Sequence, residues 1–491
     1  MLLLAFRGFV FASSDMVEVI NYSKHMIHSD LFSNDFYVSN ISKVLPNERV
    51  VFSSVLKMLI GNFKYSIFAV HFLLTITMLI GLYLISSIYI KQKVFRWLTI
   101  LILFGPLYKI NLGGNELYYN MLISSFVAKV FGVWAFYSYL SSKKAIAIIL
   151  ILIATIIHPT VGSQLFIIVV LVMIFNYTYR GKGSLGAQEI LSIVLYLAIG
   201  GGYIFYLLRA VHDFGIDKGL YFDIFEFRVP HHFFPQYFPL KSYIIEIILY
   251  SVGGFFMVKS KMTEMLTISL TLVIGIFIYI IGIFVFKMPF VLNTQWFKAT
   301  IWLELFSLIA IVASIDKAIV LSEILNQVAF TLIIGLCIFV WILIVAGNSY
   351  FSQKPYQFCQ NNDLYEEEKL GNLVREATKK DDIFVWPIDF SGFKFYSERG
   401  AFVDYKSVVH RGSVLREWYK RIKLIYGIDI NTRRENGGVK QKAIAFYKNM
   451  GIDDIKVFKS KGIDYIVQYA DVRLNLKILL KTKSYIVYNL K

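Results

Sequence analysis

Three carboxylates near the amino terminus are the residues whose type and spacing best suit chemistry. Asp15 and Glu18 follow a short apolar stretch, residues 1–12, and Asp35 comes later in the segment SNDFY. A spacing of three residues puts Asp15 and Glu18 on one face of a helix. A carboxylate at a hydrophobic boundary must be solvated or paired, and a desolvated carboxylate has a raised pKa that suits a general base. The pattern therefore allows a solvated loop, a proton-accepting site or a cation site.

Other polar residues that could bind a substrate lie in short segments between apolar runs and near the carboxyl terminus. Arginine and lysine among them could hold a phosphate, and arginine offers bidentate geometry. The adjacent histidines have no further ligand at metal-binding spacing, so an interfacial or hydrogen-bonding pair is favoured over zinc. The candidate substrate-binding residues are Glu116, His158, Arg228, His231, His232, Gln295, Lys298, Arg399 and Lys406.

The composition is typical of a multi-pass membrane protein. The 491 residues are 57% hydrophobic and 17% aromatic, and the mean hydropathy is +0.60. The net charge of +17 is attributed to short basic loops that set topology beside anionic lipid headgroups. No basic run carries the interleaved aromatic residues of a nucleic-acid groove, so nucleic acid is not an expected partner. Two cysteines provide no disulfide framework.

The apolar runs predict about eleven membrane crossings, some of half length, because several runs are shorter than the roughly 20 residues of a straight span. Two short runs flank the tripeptide HPT, where Pro159 cannot donate a backbone hydrogen bond and disfavours helix at His158. We expect two half-length passes that meet there, since a broken helix at membrane depth lines a cavity or is buried in protein. The runs are 1–12, 65–90, 97–109, 119–140, 145–157, 162–178, 187–209, 242–258, 263–286, 298–315 and 326–347.

Basic residues in alternate loops predict the orientation. Lys and Arg are enriched in cytoplasmic loops, which places the acidic loop 13–50 and everything after residue 347 outside. The expected orientation therefore has the amino terminus inside and the carboxyl terminus extracytoplasmic. The expected location is the plasma (inner) membrane. The loops interpreted as cytoplasmic are 91–96, 141–144, 179–183 and 259–261.

The composition of the sequence changes after residue 348, where charged residues become more frequent and apolar runs are only as long as a strand. Helical spacing in EEEKLGNLVREA, LREWYKRIKLIYG and GVKQKAIAFYKNMGI alternates with the β-rich runs DIFVWPI, GAFVDY and DYIVQY. This alternation predicts a compact α/β domain. We therefore expect a membrane domain over 1–348 and an extracytoplasmic α/β domain over 349–491.

The order of these features resembles the GT-C class of integral-membrane glycosyltransferases, especially a poorly characterised bacterial branch. The resemblance covers nearly the whole chain: SSDMVEV and DLFSNDFY after the first apolar run, HPTVG at the break, RVPHHFFP, and a terminal domain with FVWPIDFSGFKFYSERGAFVDYKS, REWYKR and KGIDYIVQY. No soluble-enzyme motif competes, because the chain lacks a phosphate-cradling glycine loop, a dinucleotide fingerprint, HExxH and GxSxG.

The resemblance implies transfer of a sugar from a polyprenyl-phosphate donor to a glycan, lipid or protein acceptor at the outer face. Asp15 would be the catalytic base, with Glu18 and Asp35 as supporting or alternative carboxylates. The chain departs from the class in its short first helix and in Gln295-Trp-Phe-Lys298, where arginine is expected. No cofactor is implied, and a divalent metal is left open. A surface-polysaccharide polymerase or ligase, and a non-catalytic transporter or flippase of lipid-linked sugar, are the alternative functions.

Overall fold

The computed structural model describes residues 8–59, 63–105, 107, 111–180, 186–212, 216–321, 362–390 and 392–491. The apolar run at 326–347 and the expected domain boundary at 348 lie outside these residues.

The described residues are mostly helical. A π turn occupies Leu197–Gly201, and 3₁₀ turns occupy Pro235–Tyr237 and Trp296–Ala299. The α-helices are α1 Asp15–Ile27, α2 Phe36–Ile41, α3 Val50–Met58, α4 Phe63–Tyr89, α5 Lys93–Phe104, α6 Ser124–Leu140, α7 Lys144–Ile157, α8 Pro159–Arg180, α9 Ala187–Tyr196, α10 Gly202–His212, α11 Lys218–Arg228, α12 Pro230–Phe233, α13 Leu240–Lys259, α14 Thr263–Phe284, α15 Pro289–Asn293, α16 Thr300–Leu321, α17 Asn362–Ala377, α18 Phe393–Ser397, α19 Gly412–Tyr426, α20 Ile430–Asn436, α21 Lys440–Lys448 and α22 Ile452–Ser460.

Six helical segments of the described chain are long and apolar enough to cross a membrane. By length and composition they agree with the predicted multi-pass helical membrane protein, whereas the count of about eleven crossings is not confirmed. Helix α7 is apolar but has only 14 residues, which is short of a perpendicular span. The six segments are Lys64–Tyr89, Pro159–Thr178, Ala187–Arg209, Leu240–Lys259, Thr263–Phe284 and Pro289–Ala318.

The break at His158-Pro159 is confirmed. Helix α7 ends at Ile157, His158 has an extended backbone, and Pro159 opens α8, where its missing N–H costs nothing. The expectation that both flanking passes have half length was wrong for the second one, because α8 continues for 22 residues. Helices α7 and α8 approach closely at Gly162, where a Cβ atom would lie 2.2 Å from the Thr155 hydroxyl oxygen.

The chain divides into two compact units. Unit 1 comprises Met1–Gly8, Phe68–Phe205 and Val229–Tyr356, and unit 2 comprises Phe9–Ile67, Tyr206–Arg228 and Gln357–Lys491. The acidic amino-terminal segment and helix α11 therefore belong to the same unit as the carboxyl-terminal residues. The boundary at 348 stays a prediction.

Unit 2 contains a five-stranded mixed sheet in the order β2-β1-β3-β5-β4. Strand β1 is parallel to β2 and β3, whereas β5 is antiparallel to β3 and β4. The predicted alternation of helices with strands is confirmed, and the closing β4–β5 hairpin was not predicted. Aromatic and branched side chains from the sheet pack against α17, with Leu370, Val374, Phe384, Trp386, Tyr465, Val467 and Val487 in the buried core. The strands are β1 Ile383–Val385, β2 Gly400–Ala401, β3 Tyr465–Tyr469, β4 Lys477–Lys481 and β5 Tyr485–Asn489.

Candidate functional site

Helix α1 of unit 2 carries the first two predicted carboxylates. Asp15 is its first residue and Glu18 lies in the same first turn. The prediction that both carboxylates lie on one face of a helix is therefore confirmed. Negative charge is stabilised there by the positive end of the helix dipole. Their environments differ, because the Asp15 side chain is 49% exposed and that of Glu18 only 2%.

Two arginines from distant segments approach the buried Glu18. The Nη2 atom of Arg49 donates a 2.8 Å hydrogen bond to Oε2 of Glu18, and Nη2 of Arg228 lies 3.7 Å from Oε1. Burial raises the pKa of Glu18, while the positive charges of Arg49 and Arg228 act in the opposite direction. Glu18 therefore holds two guanidinium groups in place at the start of α1.

Lys406 lies beside Asp15. It is part of the segment between β2 and α19, and its Nζ atom is 2.7 Å from Oδ1 of Asp15. Nη2 of Arg228 donates to the backbone carbonyl of Lys406, so the lysine is tied to the end of α11. We call Asp15, Glu18, Arg49, Arg228 and Lys406 the carboxylate cluster. Its two acids and three bases leave one net positive formal charge.

Several buried polar atoms around the carboxylate cluster have no hydrogen-bond partner among the described residues. They are Nε of Arg49, Nε of Arg228 and both amide atoms of Asn21. Asn21 lies one helical turn after Glu18. Because buried polar groups are almost always hydrogen-bonded to protein, water or ligand, these atoms indicate a place for a polar ligand or ordered water.

Asp35 lies elsewhere in unit 2 and has the contacts of a structural carboxylate. It is fully buried and caps α2 by accepting from the Val38 amide at 2.8 Å. The Ala401 amide of β2 donates to it at 2.8 Å, and Nζ of Lys394 lies 2.7 Å away. These donors join α2, α18 and β2 around one buried charge.

Arg399 is also buried in a structural setting. Its guanidinium donates to the carbonyls of Arg375 and Thr378, at 2.7 and 2.6 Å, and to the Thr378 hydroxyl at 2.9 Å. It also donates to the carbonyls of Ser397 and Glu398. The carbonyls at a helix end lack intrahelical partners, and Arg399 supplies donors at the end of α17.

Unit 1 has its own polar cluster, which gathers the GGNELYYN segment with the NTQWFK segment. The Asn115 amide donates to the Lys298 carbonyl at 2.8 Å. Its Oδ1 atom accepts from Nζ of Lys129 at 2.7 Å and from the Tyr119 hydroxyl at 2.9 Å. Lys129 also donates to the Glu116 carbonyl. We call Asn115, Glu116, Lys129 and Lys298, with His231 and His232, the loop cluster.

The histidine pair joins the loop cluster through two glycines with positive φ. Nδ1 of His232 lies 2.7 Å from the Gly113 carbonyl oxygen, and a Cβ atom on Gly114 would lie 3.0 Å from the His231 ring. Gly113 has φ of +81°, and a Cβ atom there would lie 2.8 Å from the Phe297 backbone. The close packing therefore requires glycine in this loop.

His158 and Gln295 have backbone roles in unit 1. Nδ1 of His158 accepts from the Val161 amide at 3.3 Å in the first turn of α8. Gln295 has a left-handed backbone with φ of 48°, and its carbonyl accepts from the Gln164 side chain at 3.0 Å. These contacts fix the chain between α7 and α8 and between α15 and the 3₁₀ turn that follows it.

Sequence reasoning missed Arg49, Lys129 and Lys394 as partners of the candidate residues. Lys129 is fully buried within the apolar helix α6, and a lone lysine in such a run is a feature that could have been noticed. Arg49 and Lys394 lie in ordinary polar segments that carry no such feature. Among the described residues, no group of three or more His, Cys, Asp or Glu side chains could hold a metal ion.

Comparison with known proteins gives a partial family match. Residues 365–425 match the family model described as a domain of unknown function, DUF6798, and this segment contains Lys394, Arg399 and Lys406. No curated protein matches the chain in sequence. Among solved structures the chain is similar to the archaeal oligosaccharyltransferase AglB from Archaeoglobus fulgidus, in complex with an inhibitory peptide and a dolichol-phosphate, with a TM-score of 0.40 and 11% identity over 95% of this chain and 68% of that one. The family match covers part of unit 2 and describes no activity. A function must therefore be inferred from the contacts, burial and charge of the side chains.

Proposed function

We propose that the chain is a membrane glycosyltransferase that moves a sugar from a polyprenyl-phosphate donor to an acceptor hydroxyl at the outer face of the membrane. The supporting observation is the carboxylate cluster, in which the half-exposed Asp15 lies one turn from the buried Glu18 and its two arginines. An accessible acid beside fixed cations suits a reaction that removes a proton and releases a phosphate.

In the proposed reaction the acceptor oxygen attacks the anomeric carbon of the donor sugar. The bond between that carbon and the phosphate oxygen breaks, and the phosphate leaves with the bonding electron pair. The carboxylate of Asp15 accepts the hydroxyl proton. Arg228 and Lys406 stabilise the charge that develops on the phosphate, because guanidinium and ammonium groups form strong charge-assisted hydrogen bonds to phosphate oxygens.

The remaining candidate residues take different roles in this proposal. Glu18 is a positioning residue that holds Arg49 and Arg228, while Asp35 and Arg399 maintain the framework of unit 2. The predicted substrate-binding roles of the unit 1 residues Glu116, His158, His231, His232, Gln295 and Lys298 stay predictions. The orientation with the carboxyl-terminal residues outside belongs to the same proposal.

Replacement of the base tests the proposal. Asp15→Asn keeps the size and hydrogen-bonding capacity of the side chain but cannot take a proton at neutral pH. A general base contributes about 10²–10⁴-fold, so we expect transfer to fall by about 100-fold or more. The assay uses the purified full-length chain in lipid, polyprenyl-phosphate donors with a panel of labelled sugars, and detection of labelled product.

Asp30→Asn is the matched control, because Asp30 lies in the same segment but pairs with Lys380 at an exposed position. It should keep normal transfer. Normal transfer by folded Asp15→Asn would remove Asp15 as the base. Donor that crosses the bilayer without release of its sugar, in both the unmodified chain and the variant, would favour a transporter instead.

A further inference from the structure

A cleft in unit 2 has a lining that includes no residue of the carboxylate cluster. It is a cavity of about 480 Å³ whose lining residues come from the end of α19, from α20, from α21 and from the first turn of α22. Small-molecule sites typically occupy roughly 300–1,000 Å³. The cleft is therefore large enough for a ligand of one or two sugar units.

Two helix faces meet across this cleft. Helix α21 contributes Lys442, Ala445 and Phe446, and Asn449 follows directly after its last residue. Their spacing of three, four and seven residues places them on one face. Helix α20 contributes Thr432, Glu435 and Asn436, which also share a face. The small side chain of Ala445 leaves space between the two rows.

The polar side chains of the cleft form a mixed set of donors and acceptors. Among the described residues, neither the Glu435 carboxylate nor the Lys442 ammonium has an ion pair or hydrogen bond. The amide of Asn436 donates to the Thr432 carbonyl and keeps its oxygen as an acceptor. A carboxylate, an ammonium and primary amides together suit ligand groups that both donate and accept, as sugar hydroxyls do.

An aromatic ring forms the apolar part of the cleft. Phe446 is 39% exposed, and its ring packs on Gly427, where a Cβ atom would lie 2.3 Å from the ring. Gly427 also has φ of +61° at the end of α19, so glycine is required both by the backbone and by the ring. The ring is thus packed against the backbone at Gly427 while part of its surface stays exposed, and an exposed aromatic surface suits the apolar C–H face of a sugar.

Helix α20 connects this cleft to helix α11. Arg434 contacts Asp223 and Glu226 of α11 at 2.8 and 2.6 Å, and Nε of Arg433 donates to the Phe227 carbonyl at 2.9 Å. Helix α11 ends at Arg228 of the carboxylate cluster. Helix α20 therefore lines the cleft with one face and forms ion pairs with α11 from another face.

We infer that this cleft binds a neutral sugar unit of a glycan, with Phe446 stacking on the ring and Glu435, Asn436 and Lys442 binding its hydroxyls. The carboxylate of Glu435 disfavours phosphate and other anions. Binding itself is independent of the proposed transferase activity. We further infer that the bound glycan is the acceptor, and only this step rests on that proposed activity.

The test is direct binding without donor. Saturation-transfer NMR on the full-length chain in nanodiscs, with lactose and N,N′-diacetylchitobiose at millimolar concentration, should detect at least one of these disaccharides. Loss of an aromatic contact worth roughly 1 kcal/mol corresponds to about fivefold weaker binding, which we expect for Phe446→Ala. Ala445→Arg should abolish binding because the long side chain fills the space between the helices.

Val457→Ala is the matched control. Val457 is an apolar residue of α22 with the same 39% exposure as Phe446, and it does not line the cleft. Binding equal to that of the unmodified chain is expected. Failure of both disaccharides to bind, or equal binding by Ala445→Arg, would overturn the inference. Because the assay contains no donor, its result is separate from that of the Asp15→Asn transfer assay.

Discussion

The clearest test of the framework around the site is the buried pair of Asp35 and Lys394. The Asp35 side chain is 0% exposed and that of Lys394 is 2% exposed. Asp35→Asn leaves the cap of α2 largely intact, because asparagine is as good an N-cap as aspartate. It removes the charge that pairs with the lysine and the oxygen that accepts from the Ala401 amide. An unpaired buried charge destabilises by about 3–5 kcal/mol.

The second change in this test removes the unpaired charge. Lys394→Met in the Asp35→Asn background replaces the ammonium by an apolar side chain of similar length, and replacing both members of a buried pair is often close to neutral. We therefore expect the double variant to recover part of the lost stability, because the ammonium is no longer unpaired but the buried Ala401 amide still lacks the acceptor it had in Asp35. The exposed pair of Asp30 and Lys380 is the control, since exposed pairs contribute about 0–1 kcal/mol.

The measurement is thermal unfolding of the full-length chain in one detergent, followed by intrinsic fluorescence. At roughly 2–4 °C per kcal/mol for a unit of this size, Asp35→Asn should lower the melting temperature by about 10 °C. The double variant should melt between Asp35→Asn and the unmodified chain. An unchanged melting temperature together with lost sugar transfer would refute the structural role and return Asp35 to the catalytic residues.

Three further changes test other parts of the structure. Arg399→Ala leaves several buried carbonyls without a donor and should reduce the free energy of unfolding by about 2–4 kcal/mol. The control Arg473→Ala, at an exposed position, should change it by no more than about 0.5 kcal/mol. An unchanged melting temperature with lost transfer would assign Arg399 to the site. Gly113→Ala should lower the melting temperature, because its Cβ atom would lie 2.8 Å from the Phe297 backbone. Gly254→Ala should not, because no atom lies within 4 Å of the Cβ position there. Equal effects of the two changes would contradict the packing of the loop that contains Gly113. In a chain whose native cysteines are replaced by serine, a cysteine in α20 should react with an impermeant thiol reagent in intact cells and one in the 141–144 loop should not; the reverse pattern would invert the predicted topology.

Much of the architecture could be predicted because it depends on local patterns. Long apolar runs predict membrane helices whatever their neighbours are, since backbone groups in lipid must bond within the segment. Pro159 predicts the end of α7 because its nitrogen has no hydrogen to donate. The helix that carries Asp15 and Glu18, and the mixed helices and strands of the carboxyl-terminal residues, follow from side-chain periodicity. The length of α8 was mispredicted, because polar residues near its end do not stop a helix.

The partners of the carboxylates were decided only by the tertiary structure. Asp15, Glu18 and Asp35 look equivalent in sequence, yet Asp15 is half exposed beside Lys406, Glu18 is buried between two arginines, and Asp35 is enclosed by α2, α18 and β2. Their partners are tens to hundreds of residues away, and Asp35 and Lys394 are 359 positions apart in the sequence. Periodicity reports which face of an element is buried, but it carries no information on which distant residue packs against that face. Burial and pairing separate a candidate base from a structural carboxylate, and both arise from long-range packing.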